Sequence, residues 1–399
     1  MELLDQTLNF LFYAFSFIVV LSIIVFIHEF GHYWVAKKCG VHIEEFAIGF
    51  GKELYGWNDS TGTRWKICLL PLGGYVRMFG DENAASTPDD EKLTKLTKDE
   101  QKKAFAFKNV YQRFAIVIAG PMANFILTIV ILFGINIFNG GTIVPPIIDK
   151  VLENSPAQAA GLKSGDLITN IGDAEISSFN DIRDAIILNS DENLTITYIR
   201  NKTQKQTVIT PKMHEGEDQF GYKQKRAQIG IKGLDLDDPR IKYVELSFSE
   251  SITKAVGDTY KFCTRTLTAL GQIFTGKRGT EDIGGPARIG AYVGGAMDSF
   301  VKNIKCILFG SDTCQEGYVG GIILLFTMTA LISANLGLIN LFPIPMLDGG
   351  HLAYYLYEMV RGKPLNPKWQ EYGFKFGFFV LISLMIFAFF NDGRFFGLY

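Results

Sequence analysis

Five consecutive residues, His28-Glu29-Phe30-Gly31-His32, stand out in a chain of 399 residues that has five histidines in all. On a helix, positions four apart share a face, so the two imidazoles can hold one zinc ion with the Glu29 carboxylate beside it. A catalytic zinc takes three protein ligands and keeps one position open, and the chemistry it supports is hydrolysis. These side chains also close an apolar segment. Ionisable groups there cost about 3 kcal/mol each at the bilayer centre, less near its surface, and are functional by default. A hydrogen-bonded His–Glu cluster without metal is the bland alternative, and it leaves three polar groups in an apolar segment unexplained.

Two histidines are one ligand short. The others are His42, His214 and His351. His42 follows the helix, and His214 falls on the other side of the membrane in the topology below. A second polar segment is Asn340-Leu341-Phe342-Pro343-Ile344-Pro345-Met346-Leu347-Asp348-Gly349-Gly350-His351, where two prolines break an apolar run. Broken backbone is tolerated at membrane depth only where it is buried or lines a cavity. Asp348 is the first carboxylate after the break. It can be a ligand, or it can cap the helix that follows. His351 stays open as an alternative donor.

Residues 8–27, 114–138, 322–346 and 376–390 are apolar at or near membrane-spanning length. The last is short and spans only with Lys375 snorkelling. The 8–27 run does not read as a cleavable signal peptide, since Glu2 and Asp5 precede it in place of a basic stretch. Lys37 and Lys38 follow the first run, Lys102, Lys103, Lys108 and Arg113 precede the second, and Arg361, Lys363 and Lys368 separate the last two. Basic loops stay cytoplasmic. Both termini and the central region are then expected outside, with His28, His32 and Asp348 near the cytoplasmic side. Cys39 and Cys68 should be free thiols, and Cys306 and Cys314 could form a disulfide on the outer side. A net charge of -2 gives no electrostatic reason to expect nucleic acid.

Between the runs, residues 67–78 read as two short strands around Pro71-Leu72-Gly73-Gly74, a hairpin signal. Residues 81–103 are charged and solvated. A compact module is expected over 141–212: Ser155-Pro156 opens a helical turn, Ser178 and Asp181 form a capping box, and 194–199 alternates as a strand. Residues 247–274 have helical apolar spacing, while 284–295 is glycine-rich and is expected to be irregular. The division is thus 1–140, 141–212, 213–321 and 322–399.

HEFGH and NLFPIPMLDGGH, each at the inner end of a span, resemble the site-2 protease family of intramembrane metalloproteases, and most closely the bacterial regulator-of-sigma-E branch. Gly73-Gly74-Tyr75-Val76-Arg77-Met78, Ala119-Gly120-Pro121-Met122-Ala123-Asn124-Phe125 and Gly284-Gly285-Pro286-Ala287-Arg288-Ile289-Gly290 add to the resemblance, and the central module resembles a PDZ domain. Many relatives carry two such domains; one is visible here, and 302–321 looks like an insertion. The implied fold is a polytopic α-helical membrane protein of about four spans, with an inserted α+β PDZ-like domain and a membrane-associated β-hairpin.

The same resemblance implies that Zn2+ is held by His28, His32 and Asp348, with Glu29 as general base and Asn340 at the substrate carbonyl or its oxyanion. Gly74, Tyr75, Val76, Arg77 and Met78 would receive the substrate as an added strand. The implied activity is cleavage of single-span membrane proteins or signal peptides, such as an anti-sigma factor or a remnant leader, within the bilayer of the bacterial inner membrane. A catalytically silent PDZ scaffold is the alternative from another class. A metal transporter would show repeated halves with paired broken helices, and no repeat is visible.

Overall fold

The structure is a computed structural model that describes residues 2–81, 93–187, 189, 192–217, 220, 222–235, 238–277, 279–280, 283–309 and 320–398. It divides into two compact units, Met1–Leu132 with Gly284–Arg394, and Phe133–Ile283 with Phe395–Tyr399. The long helices among the described residues are α1 (Glu2–Lys38), α2 (Val110–Asn139), α3 (Phe248–Phe274), α4 (Pro286–Phe309), α5 (Gly320–Asn340), α6 (Asp348–Arg361) and α7 (Pro367–Phe395).

In the first unit, α1, α2, α5 and α7 are long and apolar enough to cross a membrane. Protein buries 17% of the most apolar window of α1 and 11% of that of α7, so most of this apolar surface needs lipid. The third span is shorter than the 322–346 expected. It stops at Asn340, because Pro343 and Pro345 cannot continue the helical ladder.

The glycine-rich stretch expected to be irregular is instead the start of α4. Pro286 occupies a first-turn position, where its missing N–H costs nothing. The buried Asp392 carboxylate, from the end of α7, accepts from the backbone N–H groups of Gly285 (2.7 Å), Ala287 (2.8 Å) and Arg288 (3.2 Å). Gly294 is then needed for packing. A Cβ there would lie 2.3 Å from the Tyr13 ring of α1. Val20 and Ile24 of α1, Val293 and Ala296 of α4, and Leu325 of α5 form one buried cluster. Tertiary contact thus overrides weak helix propensity. Lys302 belongs to α4. So do the residues up to Phe309, and Gly320 and Gly321 open α5; residues 310–319 of the supposed insertion, Cys314 with them, lie outside the described residues. Cys306 is disulfide-bonded, whereas Cys39 and Cys68 are free.

The hairpin is larger than expected and turns elsewhere. Its strands are β1 (Ile43–Asn58) and β2 (Arg64–Met78). Ala47 and Ile48 oppose Tyr75 and Gly74 on one side, and Lys66 and Ile67 on the other, while Trp57 and Asn58 oppose Trp65 and Arg64. The two strands therefore fold into four segments in the order 74–78, 43–48, 64–67, 55–58. Gly49 (φ 86°) and Gly73 (φ 121°) make the bends, so Pro71-Leu72-Gly73-Gly74 is a kink inside β2. The turn lies at residues 59–63, where Asp59 Oδ1 accepts from the backbone N–H of Thr61 (2.8 Å) and Thr63 (3.0 Å). Its Oδ2 accepts from Tyr33 Oη (3.1 Å) and Lys37 Nζ (3.3 Å), fastening the turn to α1.

In the second unit, residues 167–171, 174–175, 194–200 and 203–209 form a four-stranded sheet. Its core holds Ile148, Ile168, Ile182, Ile186, Ile196 and Ile209. Ser155 caps the short helix Pro156–Ala159, and Ser178 with Asp181 makes the reciprocal capping pair at Phe179–Ile187. The module extends beyond Lys212. Ala227 and Ile229 are buried in the same core, and Ile231 pairs with Val151. Outermost, Gly141 pairs with Val244. Helix α3 opens on a Ser247–Glu250 capping box and is ion-paired to the module through Lys261–Asp181 (3.7 Å) and Arg265–Asp184. The last turns of α2 meet it at Phe133–Phe248 and Asn136–Ser251.

Candidate active site

His28 and His32 lie one turn apart near the end of α1, with Gly31 between them at the contact with α2. A Cβ on Gly31 would sit 2.3 Å from the carbonyl oxygen of Ala119. That close approach lets α2 supply the floor of the site. His32 Nδ1 lies 2.9 Å from the carbonyl oxygen of Ile116, which can only accept, so Nδ1–H donates and the neutral ring keeps its lone pair on Nε2. His28 Nδ1 lies 3.2 Å from the Asn124 side-chain amide. Between Ile116 and Asn124, Gly120 has no side chain, and a Cβ there would fall 2.2 Å from His32 Nε2.

Asp348 reaches the same point from another direction. After α5 stops, residues 341–347 wrap around the first turn of α6. A Cβ on Gly349 would strike the carbonyl oxygen of Phe342 at 2.2 Å, and one on Gly350 that of Ile344 at 2.6 Å. Gly377 of α7 clamps the loop from outside, since a Cβ there would sit 1.8 Å from the Pro345 carbonyl. Met346 is held at φ 94°, a strained conformation for a side-chain-bearing residue of the kind that gathers at functional sites. Leu347 is the N-cap of α6 and Asp348 its first residue, so Asp348 does not serve as the cap. Arg113 of α2 holds α6 from the far end through Glu358 (2.6 Å) and stacks over Tyr355. Burial pushes the Tyr355 hydroxyl up to about 12.

The three ligand atoms form a nearly equilateral triangle. His28 Nε2 and His32 Nε2 are 3.2 Å apart, and Asp348 Oδ2 lies 3.1 Å from the first and 3.4 Å from the second. A tetrahedral ion with bonds of about 2.0–2.1 Å puts its ligand atoms about 3.3 Å apart, so the triangle has the size of one face of a zinc tetrahedron. Asp348 Oδ2 is buried without a hydrogen-bond donor, as a ligand oxygen aimed at a cation should be. These three form the one cluster of metal-ligating groups found among the described residues. The donor set fits zinc.

A cavity of 290 Å³ opens on the triangle, and Glu29, Asn340, Gly74, Tyr75, Val76 and Met78 line it. Asn340 Nδ2 lies 3.4 Å from His28 Nε2. His351 lines it too, outside the cluster of ligand atoms, and burial lowers its pKa so that it stays neutral. Arg77 does not line the cavity. Its guanidinium is instead engaged by Glu44 (3.1 Å) and Glu45 (2.7 Å). Sequence reasoning missed the parts played by Gly120 and Asn124. The signal is present as a four-residue spacing, Ile116, Gly120 and Asn124, along one face of α2 opposite His32 and His28.

A protein named "Putative zinc metalloprotease" from Agrobacterium fabrum is 38% identical over 383 residues, covering 95% of each chain. Another of that name from Rickettsia conorii is 36% identical over 385 residues, covering 94% of this chain and 97% of its own. Metalloprotease MmpA of Caulobacter vibrioides is 34% identical over 396 residues, covering 96% of each. Among solved structures, the PDZ domain of an SdrC-like protein from Listeria monocytogenes aligns at 25% identity over 22% of this chain and 85% of its own, with a TM-score of 0.18. The family model described as peptidase family M50 matches residues 16–384, which takes in both α1 with its histidines and α6 with Asp348. By that match and by these relatives, the chain belongs to peptidase family M50, the site-2 proteases.

Proposed function

We propose that this protein is a zinc metalloendopeptidase that hydrolyses peptide bonds within the membrane-spanning segments of other proteins. The observation that carries the reading is the His28–His32–Asp348 triangle, set at the ends of membrane-length helices with Glu29 and Asn340 on the same cavity. When bound, zinc supplies a Lewis acid that brings the pKa of a water to about 7. Glu29 takes a proton from the attacking water and returns it to the leaving amine. Asn340, a neutral donor, hydrogen-bonds to the developing oxyanion without adding a charge at membrane depth. A helical substrate hides its carbonyls in its own ladder, so it must unwind before attack. The segment 74–78 is an edge of the folded sheet, and an unwound strand can pair with it.

The substrates we assign are single-span membrane proteins and remnant signal peptides, in regulated proteolysis of the anti-sigma-factor kind. The setting is the bacterial inner membrane, multi-pass. The placing of Lys37, Lys38, Arg113 and Arg361 supports cytoplasmic access to the site, with the termini and the PDZ-like module periplasmic. The deciding experiment uses the full chain in proteoliposomes with a labelled single-span substrate. Glu29→Gln should keep about one zinc per chain and lose at least ~100-fold in cleavage rate. His28→Ala and Asp348→Asn should lose zinc as well. Cleavage at the wild-type rate by Glu29→Gln overturns the reading.

A further inference from the structure

We infer that Asn124 is the positioning residue of the metal centre: its side-chain oxygen accepts the Nδ1 proton of His28 and so fixes that imidazole with Nε2 free for the metal. The inference rests on the proposed zinc reading and concerns how the chain prepares for the ion. His28 Nε2 is the atom that faces His32 Nε2 at 3.2 Å and Asp348 Oδ2 at 3.1 Å, so it must carry the lone pair. A neutral imidazole has one N–H, which then sits on Nδ1 and needs an acceptor.

The group within reach of His28 Nδ1 is the Asn124 amide, at 3.2 Å. With Nδ2 turned to the ring, two donors face each other and Oδ1 is left buried without a partner. Turning the amide by 180° exchanges its two ends and gives the imidazole proton its acceptor. Asn124 is wholly buried, and burying an amide is worthwhile only where it is used. Its backbone is pinned in place, because its carbonyl oxygen accepts from Thr128 Oγ1 (2.9 Å) and from Ser333 Oγ of α5 (2.9 Å). His32 has the equivalent support from the Ile116 carbonyl, eight positions earlier on the same face of α2. One helix therefore orients both imidazoles, and Gly120 between them leaves room for the ion.

Outer partners of this kind change metal affinity about 10–100-fold when removed. The test measures zinc affinity of the full chain in detergent by competition with a chromophoric chelator, together with the visible spectrum of the cobalt-substituted protein. Asn124→Asp retains an acceptor and should hold zinc at least as tightly as the wild type, with an unchanged tetrahedral cobalt band. Asn124→Leu, similar in volume but with no acceptor, should weaken zinc about 10–100-fold and shift the cobalt band. If Asn124→Leu does not fold, the aspartate variant decides alone, since an acceptor-only group in a donor's place would weaken zinc. Weakening by Asn124→Asp, or wild-type affinity in a folded Asn124→Leu, overturns the inference. Full zinc occupancy in His28→Ala would instead overturn the zinc reading itself.

Discussion

At the scale of single residues, the site is governed as much by what is missing as by what is present. Gly120 faces His32 Nε2 where a Cβ would come within 2.2 Å of it and within 2.9 Å of His28 Cε1. Gly120→Ala favours the helix by about 1 kcal/mol, so the fold should survive while the metal does not. Elemental analysis should find less than about a tenth of the wild-type zinc, and wild-type zinc content would refute the packing argument. His28, Glu29 and His32 stood out in the sequence because their types and spacing are those of a zinc-binding helix, whereas Asp348 stayed open between ligand and cap until the resemblance implied it as a ligand. Gly120 did not stand out, since its contribution is an absent side chain. Asn124 did not either, because its meaning depends on a partner 96 positions away.

At the scale of elements, long apolar runs announce their helices, but contacts decide where those helices stop and which weaker segments join them. Helix α4 illustrates the second case. Its glycines argue against a helix locally, and Asp392, over a hundred positions away, supplies the acceptor that its first turn needs. Asp392→Ala should leave these N–H groups, that of Gly285 buried, without their acceptor and cost about 2 kcal/mol. Thermal unfolding in detergent should register the loss, with Asn losing less than Ala because it retains one acceptor oxygen. An unchanged melting temperature for Asp392→Ala would mean that the cap is redundant. The hairpin turn escaped the sequence for a related reason. Pro71-Leu72-Gly73-Gly74 carries turn chemistry but serves as a kink, whereas the true turn at 59–63 is held by one aspartate bridging to α1.

At the scale of the whole molecule, the inserted module can be removed cleanly only where its chain ends meet. The sequence put its end at Lys212, because the strand pattern fades there. The core nevertheless takes Ala227 and Ile229 from beyond that point, and Gly141 pairs directly with Val244. Paired residues on antiparallel strands lie about 5 Å apart, so a two-residue turn can join them. Replacing residues 142–243 by such a turn should preserve zinc binding, whereas excising 141–212 should expose core strands and aggregate. The rates then separate two roles. If the module screens out bulky substrates, its removal speeds cleavage of an untrimmed substrate. If it captures a trimmed C-terminus, removal slows cleavage of the trimmed one. Unchanged rates for both, in a folded and zinc-loaded variant, would dismiss both roles.

The triangle of ligands also has a consequence in time. Asn340 lies 312 positions after His28, and Asp348 follows it. During synthesis His28 and His32 are made early, with Glu29 between them, while Asn340 and Asp348, the proposed oxyanion donor and third ligand, are still untranslated. A ribosome-bound chain can hold an ion by two ligands at most, and it has no closed cavity around it. On the proposed reading, the nascent chain is therefore inert throughout its own insertion, and cleavage waits until Asp348 arrives on α6.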